Sequence, residues 1–192
     1  LQDSEHAIAV WTTTPWTLPA NMGICVGASI TYVLVEDQSR GVTFYLAESR
    51  LADYQKKHDL KVLSHCLGKD LVGLSYRPLF DYFTVNSPDY CFKVYSDDFV
   101  TTDNGTGCVH MAPAFGEDDH RVMLQAGLVD PLCPIDDHGC YTEVITDYKG
   151  MYVKEADKRI IADLKARDCV YAHDTIEHSY PFCPRSDTPL LY

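Results

Sequence analysis

Apolar residues fall mostly in short runs with β-strand character, and longer stretches of helical periodicity are few. Residues 7–11 form a β-prone run, and residues 32–36 and 42–47 read as two strands. Between the last two, the polar sequence Asp37-Gln38-Ser39-Arg40-Gly41 predicts a hairpin turn. Residues 24–26, 61–66, 90–95 and 108–111 add further strand-like runs, with a polar loop over 97–104. Ser49 is placed to cap a short helix over 50–57, and residues 117–125 read as a helix ended by Gly127. The best amphipathic pattern is Val153, Ala156, Ile160, Ile161 and Leu164, which predicts a helix over 153–167 packed on the sheet. Residues 71–79 lead into the aromatic patch Phe80, Tyr82 and Phe83, and residues 131–149 read as a turn-rich surface excursion. Strand-like alternation returns over 169–178, before a tail containing Pro181, Pro184 and Pro189. This order predicts an α+β fold, a mixed β-barrel-like core decorated by helices, in a single domain over 1–192.

Composition narrows the class. At 192 residues and 46% hydrophobic content the chain can bury a full core, and no segment has the 18 to 20 continuous apolar residues that spanning a bilayer takes. Neither a basic region nor a signal-like apolar stretch opens the sequence. The eight cysteines lack CxxC spacing, which points to buried free thiols in a reducing cytoplasm and against a disulfide framework. His173, His178 and Cys183 lie near one another but match no zinc spacing. With 16 basic against 28 acidic residues, net charge −12, the surface repels a long duplex, so a free-standing DNA- or RNA-binding module is disfavoured. A module that receives only a single-stranded end, delivered by a tethered neighbour, escapes that objection.

Two stretches carry candidate chemistry. In residues 10–26, VWTTTPWTLPANMGICV, the strand must end at the threonines, because Pro15 and Pro19 oppose a regular ladder or helix beyond them. Thr12, Thr13 and Thr14 alternate in direction in an extended backbone, so at least one hydroxyl faces away from the core. In residues 105–119, GTGCVHMAPAFGEDD, a glycine-flanked entry leads to a short strand bearing His110 and then to an acidic helix start. Strand-to-helix turns of this kind are favoured places for sites. Asp118 and Asp119 also suit the first turn of a helix for electrostatic reasons alone, and that reading is preferred for Asp118. No GxSxG elbow occurs, and no cysteine has an evident activating neighbour, which leaves attack by water.

Taken together, WTTTPWTLPAN and GTGxVHxAPAFGxDD resemble the editing domain of isoleucyl-tRNA synthetase. The likeness runs through nearly the whole chain to HSYPFCPRSDTPLLY, so residues 179–192 resemble the tail that returns to the synthetic domain. Valyl and leucyl relatives share the GTG and the final Asp, but their first motif begins TTRP and they lack a histidine at the position of His110. The HIGH and KMSKS motifs of the synthetic site are missing, so this stretch cannot charge tRNA by itself.

The resemblance implies a reaction. One missing methylene changes binding by only about 1 to 3 kcal/mol, a limit for which isoleucyl-tRNA synthetase is itself the standing example, so a second site must remove valine. The substrate implied is valyl-tRNA(Ile), with valyl-adenylate as an alternative, hydrolysed by a positioned water. Asp119 is implied to hold the α-ammonium, and His110 to wall the side-chain pocket and reject isoleucine. Thr12, Thr13, Thr14 and Asn21 would orient the ester, the adenosine and the water. Trp11, Trp16 and Phe115 flank the motifs as adenine contacts, pocket lining or ordinary core. The implied partners are the 3'-terminal aminoacyl-adenosine of tRNA(Ile) and the remaining domains of a cytoplasmic synthetase, with no membrane, no DNA, no cofactor and no metal. A free-standing deacylase and a catalytically inactive tRNA-end binding module stay open beside it.

Overall fold

The computed structural model describes residues 6–85, 87–174, 184, 185 and 191. The predicted return tail, 179–192, therefore lies outside the described residues except at three positions, as do His178 and Cys183. The chain divides into two compact units, Leu1–Leu132 and Cys133–Tyr192, at a place that composition does not mark.

The first unit contains two open sheets. One has the order β1 (His6–Ile8), β4 (Val42–Ala47), β3 (Thr31–Asp37) and β5 (Leu60–Leu67); the other runs β6 (Lys93–Ser96), β2 (Gly23–Val26) and β7 (Cys108–Met111). The α+β class holds, while the barrel-like closure expected from the strand count is replaced by these two sheets. Strand β3 is buried almost throughout, as befits a strand paired on both edges. Its turn to β4 forms because the Asp37 carboxylate accepts from the amides of Ser39 and Arg40 and from the Ser39 hydroxyl. Tyr32, on β3, ties the two sheets together: its hydroxyl donates to the Gly107 carbonyl at 2.6 Å and accepts from the Gly27 amide at 3.0 Å.

Several predicted boundaries move. Pairing of β1 ends at Ile8, not at Trp11, and Pro15–Ala20 forms a 3-10 helix where the prolines were expected to exclude one. Pro15 sits at the helix start, where a missing amide costs nothing, and the tighter turn accommodates Pro19 over so short a span. Helix α1 covers Glu48–Gln55 with Ala47 as its cap, so Ser49 lies inside it. The Ala47 amide is already held by the Thr106 carbonyl at 2.8 Å, which fixes the helix entry two residues early. The one-turn helix α2 spans Gly68–Leu71. Strand β6 begins at Lys93 because Phe92, at φ 57°, takes the chain out of extended geometry. Helix α3, Glu117–Gln125, has its predicted bounds.

In the second unit, helix α4 covers Val153–Ala166 and buries Val153, Ala156, Ile160 and Leu164, the predicted apolar stripe apart from Ile161. The preceding turn-rich run is not a surface excursion, since Tyr141, Ile145 and Tyr148 are buried. The Tyr148 hydroxyl donates to the Asp163 carboxylate of α4 at 2.7 Å. Residues 169–174 are not strand.

Candidate functional site

Strand β7 pairs with β2 so that His110 lies opposite Ile24, and the Met22 amide donates to the Met111 carbonyl at 2.9 Å. That register brings Asn21, at the end of the 3-10 helix, against His110. The result is a continuous string of polar contacts. Asn21 Nδ2 lies 3.4 Å from His110 Nδ1, and His110 Nε2 lies 2.9 Å from Thr17 Oγ1. Thr17 Oγ1 donates to the Thr14 carbonyl at 2.9 Å and stands 3.5 Å from Thr14 Oγ1. Thr14 in turn meets Thr12 twice, through its amide at 3.0 Å and its hydroxyl at 3.3 Å.

Donor and acceptor roles along the string are consistent in one direction. Asn21 Nδ2 donates to the Gly23 carbonyl at 2.9 Å, and the Tyr76 hydroxyl donates to Asn21 Oδ1, which orients the amide. An amide N–H facing His110 Nδ1 requires a lone pair there, so the imidazole carries its proton on Nε2 and donates to Thr17. His110 is buried, and that burial lowers its pKa from the ordinary 6.5 to about 4. It is a neutral ring with both nitrogens engaged. The arrangement holds a shape and a set of hydroxyls; it offers no free basic nitrogen.

A stability consequence follows. Between pH 6.5 and 4 the unfolded chain binds a proton at His110 that the folded chain refuses, so the contribution of the neutral ring is complete above about 6.5 and is lost as pH falls through 4. The loss is on the order of 3 kcal/mol. Urea midpoints at pH 7 and pH 4 are expected to differ more in the parent chain than in His110→Gln, and equal differences would show that His110 titrates normally.

Asp119 lies in the first turn of α3, half-buried, and its Oδ2 accepts from the Ala112 amide at 2.8 Å. Burial raises its pKa, and the Ala112 amide opposes that rise. Gly116 makes this placement possible: a Cβ there would stand 2.5 Å from Asp119 Oδ2. Asp118 faces elsewhere. Its carboxylate meets Arg121 at 2.9 Å, and the same guanidinium grips Asp97 through two contacts of 2.8 Å, holding the Asp97 carboxyl down to about 2.

The two predicted motifs also meet through aromatic contacts. Trp11 is 44% exposed and lies over Gly105, where a Cβ would come within 2.9 Å of the Trp11 Cβ and φ is 68°. Only glycine suits that position. Arg50 of α1 braces the same loop, with Nε 3.1 Å from the Gly105 carbonyl. Trp16 is buried and packs edge-on against Phe115 with centroids 4.9 Å apart. Thr12, Thr14, Asn21 and His110 thus join one string, Asp119 attaches two residues beyond His110 through Ala112, and Thr13 is exposed outside the string. Thr17 and Tyr76 are the additions that the sequence reading lacks. Thr17 had a signal, since it follows Thr14 by three residues and a 3-10 helix aligns such positions; Tyr76, 55 residues from Asn21, had none.

The chain is 50% identical over 190 residues to isoleucine-tRNA ligase of Bdellovibrio bacteriovorus, covering 98% of this chain and 18% of that one. It is 46% identical over 196 residues to the cytoplasmic isoleucine-tRNA ligase of Mus musculus and 47% over 198 residues to that of Saccharomyces cerevisiae, each covering all of this chain. It is homologous to a segment of isoleucyl-tRNA synthetases. The chain spans 16 to 18% of the length of those curated relatives. No protein-family model matches it. Among solved structures, GlLeuRS-CP1 superposes with a TM-score of 0.67 at 16% identity, covering 92% of this chain and 87% of that one. The editing domain of P. falciparum cytosolic leucyl-tRNA synthetase gives 0.58 at 12% identity, covering 83% and 76%. The chain therefore shares the fold of those leucyl-tRNA synthetase domains. Among its described residues no helix is long and apolar enough to cross a membrane.

Proposed function

We propose that this segment hydrolyses valyl-tRNA(Ile), clearing valine from the 3'-terminal adenosine within a cytoplasmic isoleucyl-tRNA synthetase. The observation that carries the reading is the polar string from Thr12 through Thr14, Thr17 and His110 to Asn21, set two residues from the Ala112 anchor of Asp119. It gathers hydroxyls around a ring that stays neutral at working pH. Such a site suits an uncharged ester and a water better than a charged nucleophile would. Asp119, with Oδ2 fixed by Ala112, presents its remaining acceptor capacity to the α-ammonium. A bound cation would also favour the carboxylate that burial disfavours. His110 walls the side-chain pocket, because a buried ring with both nitrogens engaged keeps its position. Thr12, Thr13, Thr14 and Asn21 orient ester, adenosine and water. A threonine hydroxyl is a poor base near neutral pH, so the proton of the attacking water passes through the substrate's vicinal ribose hydroxyl to the ribose oxygen that leaves as the ester bond breaks.

The net charge of −12 predicts weak binding of whole tRNA and a need for delivery by tethered domains. The direct test is deacylation of valyl- and isoleucyl-tRNA(Ile) by this chain and by a full-length synthetase containing it. Selective loss of valine supports the reading; release of neither amino acid in either context overturns it.

Activity is expected to survive chelators and thiol alkylation, since no step is assigned to a metal or a cysteine. Burial pushes the Cys25 thiol up to about 12 and raises those of Cys66, Cys91 and Cys108, whereas Cys133 and Cys169 are exposed and will react first among the described cysteines. Loss of hydrolysis with an unchanged circular-dichroism spectrum would overturn the assignment.

A further inference from the structure

We propose that Tyr76 is a positioning residue of the editing site, acting through Asn21 to fix the tautomer of His110. The inference deepens the function proposed above and rests on it for its catalytic consequence. The Tyr76 hydroxyl donates to Asn21 Oδ1, while the Gly23 carbonyl, 2.9 Å from Asn21 Nδ2, can only accept. These two partners select one of the two amide orientations, the one that turns Nδ2 toward His110 Nδ1. A donor at Nδ1 places the imidazole proton on Nε2, and from there it points at Thr17 and the threonine string. Without Tyr76, Asn21 Oδ1 loses its donor. The Asn21–His110 contact, at 3.4 Å already the longest link at the ring, would then be the first to give way.

Tyr76 is built to hold that place. Its amide donates to the Phe92 carbonyl at 2.9 Å, and its ring meets the Phe92 ring edge-on with centroids 6.2 Å apart. The Phe92 amide donates to the Met22 carbonyl at 2.7 Å, next to Asn21 in the chain, so tyrosine and asparagine are fixed to the same stretch of backbone. Burial raises the Tyr76 pKa, which keeps the phenol a donor at every working pH. A purely structural tyrosine would need no donor aimed at Asn21.

The test reads the tautomer itself, without any reaction. In the 15N-labelled chain, His110 is expected to show a pyrrole-type Nε2 and a pyridine-type Nδ1, assigned by comparison with His110→Gln. In Tyr76→Phe the two nitrogens should move toward averaged values, and in Asn21→Asp, where a carboxylate can only accept, the proton should move to Nδ1. In deacylation, Tyr76→Phe should lower the ratio of valyl to isoleucyl rates by about five- to tenfold with the valyl rate little changed, the worth of one hydrogen bond made through the His110 wall. Unchanged nitrogen shifts in both folded variants would overturn the inference whatever the rates. Moved shifts in a chain whose parent form hydrolyses neither ester would uphold the positioning by Tyr76 and overturn the proposed function instead.

Discussion

Replacing Asp119 by alanine is expected to lower hydrolysis of valyl-tRNA(Ile) by roughly 30- to 5,000-fold, equivalent to the 2 to 5 kcal/mol lost when one partner of a buried charge pair is truncated. Every aminoacyl ester presents the same ammonium, so the loss should be shared by all esters and leave selectivity alone. The fold should tolerate the change, because among the described residues the Ala112 amide is the one backbone group that the carboxylate serves beyond its own turn. Gly116→Ala gives a graded companion: its new Cβ would meet Oδ2 at 2.5 Å and must turn the carboxylate off Ala112. A smaller loss than in Asp119→Ala is therefore expected, on the order of tenfold, as for one displaced hydrogen bond to a charged group. Deacylation rates with both esters, beside circular dichroism, check this. If Asp119→Ala hydrolyses valyl-tRNA normally, Asp119 is a helix-start carboxylate only. Asp118 is then a poor substitute, since Arg121 already occupies it.

Much of this site was legible because its parts lie in two short stretches with strong local signals. Residues 10–26 and 105–119 declare a strand end, a proline turn, a glycine entry and an acidic helix start, and the bounds of β7 and α3 followed from them. What stayed hidden depends on contacts between distant residues. The early start of α1 comes from the Ala47 amide bonding to Thr106, and the role of Tyr76 comes from a partner 55 residues away. The burial of Tyr141, Ile145 and Tyr148 was hidden for another reason: a run punctuated by turn residues looks solvated whatever packs against it. Two sheets in place of a barrel likewise depend on which strand edges pair. Alternation along a strand fixes its faces but does not fix its neighbours.

His110→Ala is expected to change which amino acid is removed more than how fast valine is removed. In the structure the ring is buried between Thr17 and Asn21, and alanine would leave space where the proposed pocket wall stood. Correctly charged isoleucyl-tRNA should then be hydrolysed. The ratio of valyl to isoleucyl rates should fall by about 10- to 200-fold, the range that one methylene commands in an apolar pocket. A cost accompanies this, since Thr17 and Asn21 lose their shared partner, and stability should drop by about 1 to 3 kcal/mol for the polar groups left unmatched. The cost separates wall from base. His110→Gln restores a donor and an acceptor of similar reach but cannot serve as an imidazole base. If the wall reading holds, glutamine should recover both stability and discrimination against isoleucine. If His110 were the base, both variants would lose both reactions together. The pH dependence sharpens the contrast: a His110 base of pKa about 4 would make valyl-tRNA hydrolysis rise through pH 4, whereas a wall gives no His110-dependent step there. A rate that rises through that pH and flattens in His110→Gln would assign the ring a proton-transfer role and overturn the steric one.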